Sequence, residues 1–179
     1  AEENRRLYGE QRNMSLTLQR SLLPKGLPTV DGMEFAARYI PGETGMEVGG
    51  DWYSAIAIDD HRFAFVVGDV SGRGLAAATI MASLRYTIRA YATIGYGPAR
   101  ILEMAAKEIN IAADGHFATV LVGLVDNDRG EMTLASAGHL PVLMLHDEQS
   151  EFLEIPVGIP LGIGAPTYES MTIPIERNS

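Results

Sequence analysis

The spacing of apolar residues predicts an N-terminal helix that stands apart from the rest of the chain. Within residues 2–23 the apolar side chains fall on one narrow face of a 3.6-residue period, namely Leu7, Met14, Leu18 and Leu22. Charged residues cover the other faces, and Pro24 ends the helix. Such a helix can dock on its own domain, or it can pair with a second copy and connect to an upstream domain. We therefore divide the chain into a linker helix, residues 1–24, and a domain, residues 25–179.

After the linker the pattern changes to short strands arranged around two helices. Strands are predicted at 33–40, 52–58, 62–70, 119–125, 131–136, 142–145, 152–155 and 170–175. Helices are predicted over 74–93 and from Pro98 to Ala112, where apolar residues recur at spacings of three and four. Because two helices lie between two groups of strands, the pattern favours an α+β sandwich with helices covering sheet faces over alternating βαβ units.

Composition excludes several classes of function. The 179 residues include no cysteine, which excludes disulfide frameworks, cysteine-ligated metals and thiol nucleophiles. Lys and Arg number 14 against 23 Asp and Glu, a net charge of −9 that argues against binding to nucleic acid or to an anionic membrane surface. No apolar stretch approaches the roughly 20 residues of a membrane span. We therefore expect a cytoplasmic protein.

Two aspartates are predicted to meet at the open end of a hairpin. If residues 59–61 form the turn between strands 52–58 and 62–70, residue i pairs with residue 120 − i, and Asp51 lies opposite Asp69. Two carboxylates among glycines suit hard divalent cations, and the turn from Gly68 to Gly74 can aim N–H groups at a phosphate. The alternative is that Asp51 caps a turn and Asp69 caps the following helix. A nucleotide-binding loop is disfavoured, because the turn lacks the Lys-Ser/Thr of a P-loop.

Five segments, in this order, together resemble the RsbU/SpoIIE-type branch of the metal-dependent (PPM) serine/threonine protein phosphatases. They are Leu18–Pro24, Val48–Tyr53, Gly68–Gly74, Ala118–Val122 and Ala135–Pro141. The resemblance implies an αββα sandwich of two antiparallel sheets flanked by helices, with two Mn²⁺ or Mg²⁺ ions at one end. It further implies that Asp69 bridges both ions, that the main-chain carbonyl of Val70 contacts metal, and that Asp51 binds or positions metal from the neighbouring strand.

Three departures from the family pattern modify this expectation. Ser54 replaces a second aspartate, and Arg73 replaces the common histidine of the Gly68–Gly74 segment. Arg73 and the neighbouring Gly72 are candidates for contact with phosphate or substrate, although a solvated loop arginine is the alternative. The family's later Asp-Gly segment, which supplies further metal ligands, is not found before Ser179. We therefore expect a domain truncated at its C-terminus and poorly active by itself.

The remaining expectations concern function and partners. The resemblance implies dephosphorylation of phosphoserine or phosphothreonine in a protein, in this branch an anti-anti-sigma factor, and hence regulation of sigma-factor activity. The apolar stripe of the N-terminal helix favours coupling to an upstream sensory domain, and it makes a homodimer an open alternative. A non-catalytic regulatory module that keeps the fold is the alternative function. His139, in the Ala135–Pro141 segment, is interpreted as packing a turn at the sheet end.

Overall fold

The fold is given by a computed structural model, which describes Arg6, Thr17 and residues 21–24, 26–40, 48–146 and 149–175. The predicted helix over 2–23, and with it the predicted pairing of two copies, lies largely outside the described residues. At the end of this segment Leu22 and Leu23 are partly buried and pack against the main core. The end of the predicted linker helix is therefore anchored to that core.

A six-stranded mixed sheet forms the centre of the fold. The strands in chain order are β1 Gly49–Ala57, β2 Arg62–Arg73, β3 Ala118–Asp126, β4 Glu131–Ala137, β5 Leu143–His146, β6 Gln149–Phe152, β7 Val157–Gly158 and β8 Met171–Pro174. β1 to β4 lie side by side in antiparallel order, and the outer edge of β4 pairs with β7 in parallel and with β8 antiparallel. β5 and β6 form a separate two-stranded hairpin.

The described helices cover one face of this sheet. They are α1 Leu75–Thr93, α2 Pro98–Ala105, a 3₁₀ turn Ala106–Glu108 and the short α3 Ile111–Asp114. The core beneath them includes fully buried Trp52, Met81, Leu84, Ile88, Ile101 and Leu102. The prediction that one helix continues with a buried face to Ala112 is wrong, because the backbone becomes extended at Ile109 (φ −141°) and Ala112 is exposed.

The opposite face of the sheet carries a second, smaller core. Phe63, Val125 and Leu134 are buried there beneath partly buried residues from 33–35 and from the segments on either side of the β5–β6 hairpin. The rings of Phe35 and Phe63 meet edge to face with centroids 4.5 Å apart. Residues 33–40 were predicted as a strand, but they only pack by side chains, with a single bridge between Val30 and Met33.

The predicted α+β fold is confirmed, with differences in its layers. Within the described residues the second sheet consists of the β5–β6 hairpin alone, and the helices lie on one side of the main sheet. The strand predicted at 152–155 lies at 149–152 instead. Among the described residues, no helix combines the length and apolar character that crossing a bilayer requires.

Candidate metal centre

The turn between β1 and β2 sets the register of the hairpin. The carboxylate of Asp59 accepts hydrogen bonds from the backbone N–H groups of His61 (3.1 Å) and Arg62 (2.8 Å), which closes the turn. Pairing then runs from Ala57 opposite Phe63 to Asp51 opposite Asp69. The predicted pairing of the two aspartates is therefore confirmed.

Asp51 and Asp69 project from the same face of the sheet, away from the helices. Their neighbours Trp52 and Val70 point the other way and are buried in the main core. Directly opposed residues in such a pair have Cβ atoms about 4.5–5.5 Å apart. Neither carboxylate has a hydrogen-bond or ion-pair partner in the part of the chain that the structure describes. Helix α1 is capped by the backbone of Gly74, so the alternative in which Asp69 caps it is wrong.

Partial burial, reinforced by the negative charge of Asp51, raises the pKa of Asp69 above its usual range. An ionised carboxylate in this position is disfavoured in the folded protein unless a positive charge compensates it. A divalent cation placed between the two side chains would supply that charge, and oxygen donors are the ligands that Mg²⁺ and Mn²⁺ prefer.

This electrostatic cost leads to a prediction for the metal-free protein. Asp69→Asn is expected to raise Tm at pH 7 in the presence of chelator, because the amide carries no charge to repel Asp51. The raised pKa means that wild-type stability falls as pH rises above the ordinary value of 3.8, so the difference should vanish below that pH. Thermal unfolding between pH 3 and pH 7 measures it, with Asp60→Asn in the exposed hairpin turn as the control. A lower Tm for Asp69→Asn at pH 7 would contradict the electrostatic argument.

Because Gly50 has no side chain, the carbonyl of Val70 can lie close to β1, beside the two aspartates. A Cβ atom at Gly50 would overlap with the Val70 carbonyl oxygen and would lie 2.9 Å from Oδ1 of Asp69. Only glycine allows the two strands to approach this closely beside the aspartates. The structure thus brings together three of the residues predicted for the site, Asp51, Asp69 and Val70.

A network around Ser71 holds the end of β2, which the sequence predicts as a turn after Val70. The Ser71 carbonyl accepts a hydrogen bond from Nδ1 of His116 (2.5 Å), and the Ser71 hydroxyl oxygen accepts one from the N–H of Phe117 (3.0 Å). Gly72 has φ +89°, and a Cβ there would lie 3.0 Å from Cε1 of His116. The imidazole of His116 therefore fixes the peptide next to the Val70 carbonyl.

The other predicted phosphate contacts, Gly72 and Arg73, are the last two residues of β2. Arg73 pairs with Gly49 at the end of the hairpin, and its side chain is exposed. Gly72 is also exposed. Arg73 lies four positions beyond Asp69 along β2, and nothing in the described contacts ties its guanidinium to another side chain.

Two further residues lie beside the carboxylates and were not predicted as part of the site. Thr119 of β3 pairs directly with Asp69, and its hydroxyl is 2.9 Å from Nδ1 of His139. Burial lowers the pKa of His139, and the charge of Asp51 acts in the opposite direction. The register of β3 against β2 places Thr119 and His139 beside the aspartates, and no local pattern in the sequence predicts that register.

The donor set fits a hard divalent cation but fills only part of its coordination. Asp51, Asp69 and the carbonyl of Val70 offer oxygen ligands, and Mg²⁺ takes about six. Within the described ranges, no group of three or more His, Asp or Glu side chains is close enough to hold a metal ion together. The remaining ligands of such an ion are water or groups outside those ranges.

Comparison with known proteins identifies relatives along most of the chain. The chain is 24% identical over 152 residues to the phosphoserine phosphatase RsbU of Bacillus subtilis, a match that covers 84% of this chain and 44% of RsbU. The chain spans less than half the length of each of the curated relatives compared.

Solved structures share the fold. The RsbU and RsbW domains of Rv1364c from Mycobacterium tuberculosis superpose with a TM-score of 0.62 at 30% identity, over 72% of this chain and 36% of that one. RsbX in complex with magnesium superposes with a TM-score of 0.57 at 22% identity, over 72% of this chain and 62% of that one.

A protein-family model also matches the chain. The model of stage II sporulation protein E (SpoIIE) matches residues 59–179, which include β2 with Asp69, the turn that follows it, β3 and β4. The match covers more than half of the chain and includes Asp69, while Asp51 lies before its first residue. The chain therefore belongs to the SpoIIE family of PP2C-type phosphatase domains.

Proposed function

We propose that this domain is a metal-dependent phosphatase that hydrolyses phosphoserine or phosphothreonine in a protein substrate. The observation that carries the proposal is the pairing of Asp51 with Asp69 beside the Val70 carbonyl, in a chain of the SpoIIE family. The two facing carboxylates have no side-chain partner within the described residues, and a divalent cation between them would offset the electrostatic cost that raises the pKa of Asp69.

The two aspartates and the Val70 carbonyl would hold the cations, two Mn²⁺ or Mg²⁺ ions in the complete site. Such ions lower the pKa of water to generate a nucleophile and neutralise charge on the phosphoryl oxygens. The protein holds its own oxygen ligands rigidly, because they lie on paired strands and beside a turn anchored by His116 and Phe117. RsbX, a structural neighbour, was solved in complex with magnesium, which supports the choice of metal.

The substrate and partners follow from the relatives. RsbU and RsbP of Bacillus subtilis are phosphoserine phosphatases, and Rv1364c contains an RsbU domain together with an RsbW domain. We propose that the substrate here is a phosphorylated protein of the anti-anti-sigma type and that the output is sigma-factor activity. We also propose that residues 1–24 link the domain, residues 25–179, to an upstream sensory domain.

Phosphate release from a phosphoserine protein tests this function most simply. With about 1 mM Mn²⁺, the full-length gene product is expected to release phosphate from phosphoserine and phosphothreonine substrates. Phosphate release should stop when a chelator is added. A protein that binds a phosphorylated partner but releases no phosphate at any Mn²⁺ concentration would instead establish the non-catalytic regulatory module.

A further inference from the structure

A row of polar side chains crosses three strands, at the end of the sheet that carries the aspartates, and reaches the turn after β4. Asp51 on β1 faces Asp69 on β2, and Asp69 faces Thr119 on β3. Residues paired in this way project from the same face of a sheet, so all three side chains point away from the helices. The row continues to His139, which follows β4 and lies against the Thr119 hydroxyl at 2.9 Å.

The backbone turn that carries His139 is held without its imidazole. The buried hydroxyl of Ser136 accepts a hydrogen bond from the N–H of His139 (3.1 Å) and donates one to its carbonyl (3.4 Å). Gly138 supplies the left-handed conformation that the turn needs, with φ +68°. The imidazole is therefore not needed for these backbone contacts, and its bond to Thr119 is an additional contact of the turn.

The imidazole is held at one nitrogen and open at the other. Nδ1 is bonded to Thr119, while Nε2 has no hydrogen-bond partner in the described part of the chain and is not among the polar atoms cut off from solvent. His139 is only half-buried. If the Thr119 hydroxyl donates to Nδ1, the ring proton lies on Nε2 and forms a donor at the edge of the site.

The distance of His139 from the aspartates determines which ligand suits it. The charge of Asp51 acts on the imidazole of His139 and favours its protonated form. Within the described residues, however, Asp51, Asp69 and His139 do not form a group that could bind one metal ion. A group that bridges from the cation site to this donor must therefore extend beyond the ion and must accept hydrogen bonds. A phosphoryl group has these properties, and the two aspartates offer it no donor when ionised.

We infer that His139 is a substrate-binding residue that donates a hydrogen bond from Nε2 to a phosphoryl oxygen, and that Thr119 positions its ring. This inference rests on the proposed phosphatase function and extends it to β3 and β4. It assigns the sheet end beyond the carboxylates to recognition of the phosphoryl group. Inorganic phosphate, the reaction product, carries the same oxygen acceptors as the substrate and can therefore serve as the probe.

Two replacements of His139 separate ligand binding from support of the turn. His139→Asn keeps a polar group near the Nδ1 position and can still bond Thr119, whereas His139→Gln places an N–H near the Nε2 position. In the full-length gene product with Mn²⁺, we expect His139→Asn to raise KM and the inhibition constant of phosphate at least about tenfold, since hydrogen bonds to charged groups are among the strongest. His139→Gln should recover part of the loss, and His61→Asn, at the far end of the hairpin, should change neither constant.

A spectroscopic measurement on the wild-type chain needs no variant that must fold. With ¹⁵N-labelled histidine and Mg²⁺, phosphate should shift the Nε2 resonance of His139 and leave that of His61 unchanged; the chain has only 4 histidines, so the signals can be resolved. If the wild type is active, His139→Asn keeps the wild-type KM and phosphate inhibition constant, and His139→Gln is impaired, the ring only anchors the turn. An Nε2 signal of His139 that does not respond to saturating phosphate would overturn the inference as well. If the wild type itself releases no phosphate, the proposed function fails instead.

Discussion

Asp69→Asn is expected to reduce the Mn²⁺-dependent phosphatase activity of the full-length gene product by at least about 100-fold. Outer-shell partners of metal ligands alone account for 10–100-fold in affinity or activity, and Asp69 is a proposed ligand itself. The amide keeps the size of the side chain but loses the charge that holds the cation. Because the Asp69 side chain makes no hydrogen bond or ion pair within the described residues, the fold should remain intact. Phosphate release at saturating Mn²⁺ measures the effect.

A matched variant shows that the effect belongs to this site. Asp60→Asn removes the same charge from the exposed turn at the opposite end of the β1–β2 hairpin and should retain wild-type activity. Circular dichroism of both variants checks that the fold is unchanged. Wild-type turnover by Asp69→Asn at the same Mn²⁺ concentration would mean that the metal site has been placed wrongly.

Gly50→Ala is expected to damage both stability and metal binding. The new methyl group would overlap with the Val70 carbonyl oxygen and crowd Oδ1 of Asp69 at 2.9 Å, so the two strands must move apart at the site. Overpacking of this kind costs about 1–3 kcal/mol, which for a domain of 150–250 residues lowers Tm by roughly 2–4 °C per kcal/mol. The Val70 carbonyl and Asp69 would move together, so the affinity for Mn²⁺ should fall with the stability.

Gly26→Ala is the control for the change from glycine to alanine. Apart from its two chain neighbours, no described residue has an atom within 4 Å of the position that its Cβ would take. It should leave Tm within about 1 °C of the wild type, because surface substitutions away from packed sites cost little. A Gly50→Ala protein with the stability and Mn²⁺ affinity of the wild type would show that the close approach of Val70 to Gly50 is not needed for the site.

The part of the site that could be predicted from the sequence is the part fixed by a local turn. Asp59 closes the hairpin by bonding residues only two and three positions away, so the opposition of Asp51 and Asp69 follows from the length of the turn. The apolar spacing of α1 likewise predicts which side chains face the core, since Leu84 and Ile88 are buried one turn apart. Both features depend on short-range geometry that a single sequence carries.

The remainder depends on contacts between distant segments. Thr119 faces Asp69 only because β3 pairs with β2 after two helices have intervened, and no local pattern sets that register. The apolar residues near 33–35 were misjudged because an extended segment can bury side chains such as Phe35 without joining a sheet. The helix beyond Ala105 was extended too far because periodicity alone does not show where the backbone turns into the 3₁₀ segment.

The most direct test of the central claim is to observe where Mn²⁺ binds on this chain. Bound Mn²⁺ broadens nearby amide resonances even when binding is weak, which suits a site with two carboxylates and one carbonyl. In a ¹H–¹⁵N spectrum we expect the signals of Gly50, Asp69 and Ser71 to disappear first during a Mn²⁺ titration, and we expect Asp51→Asn combined with Asp69→Asn to abolish this selectivity. Broadening that is centred elsewhere, or that persists unchanged in the double variant, would contradict the assignment of the metal centre.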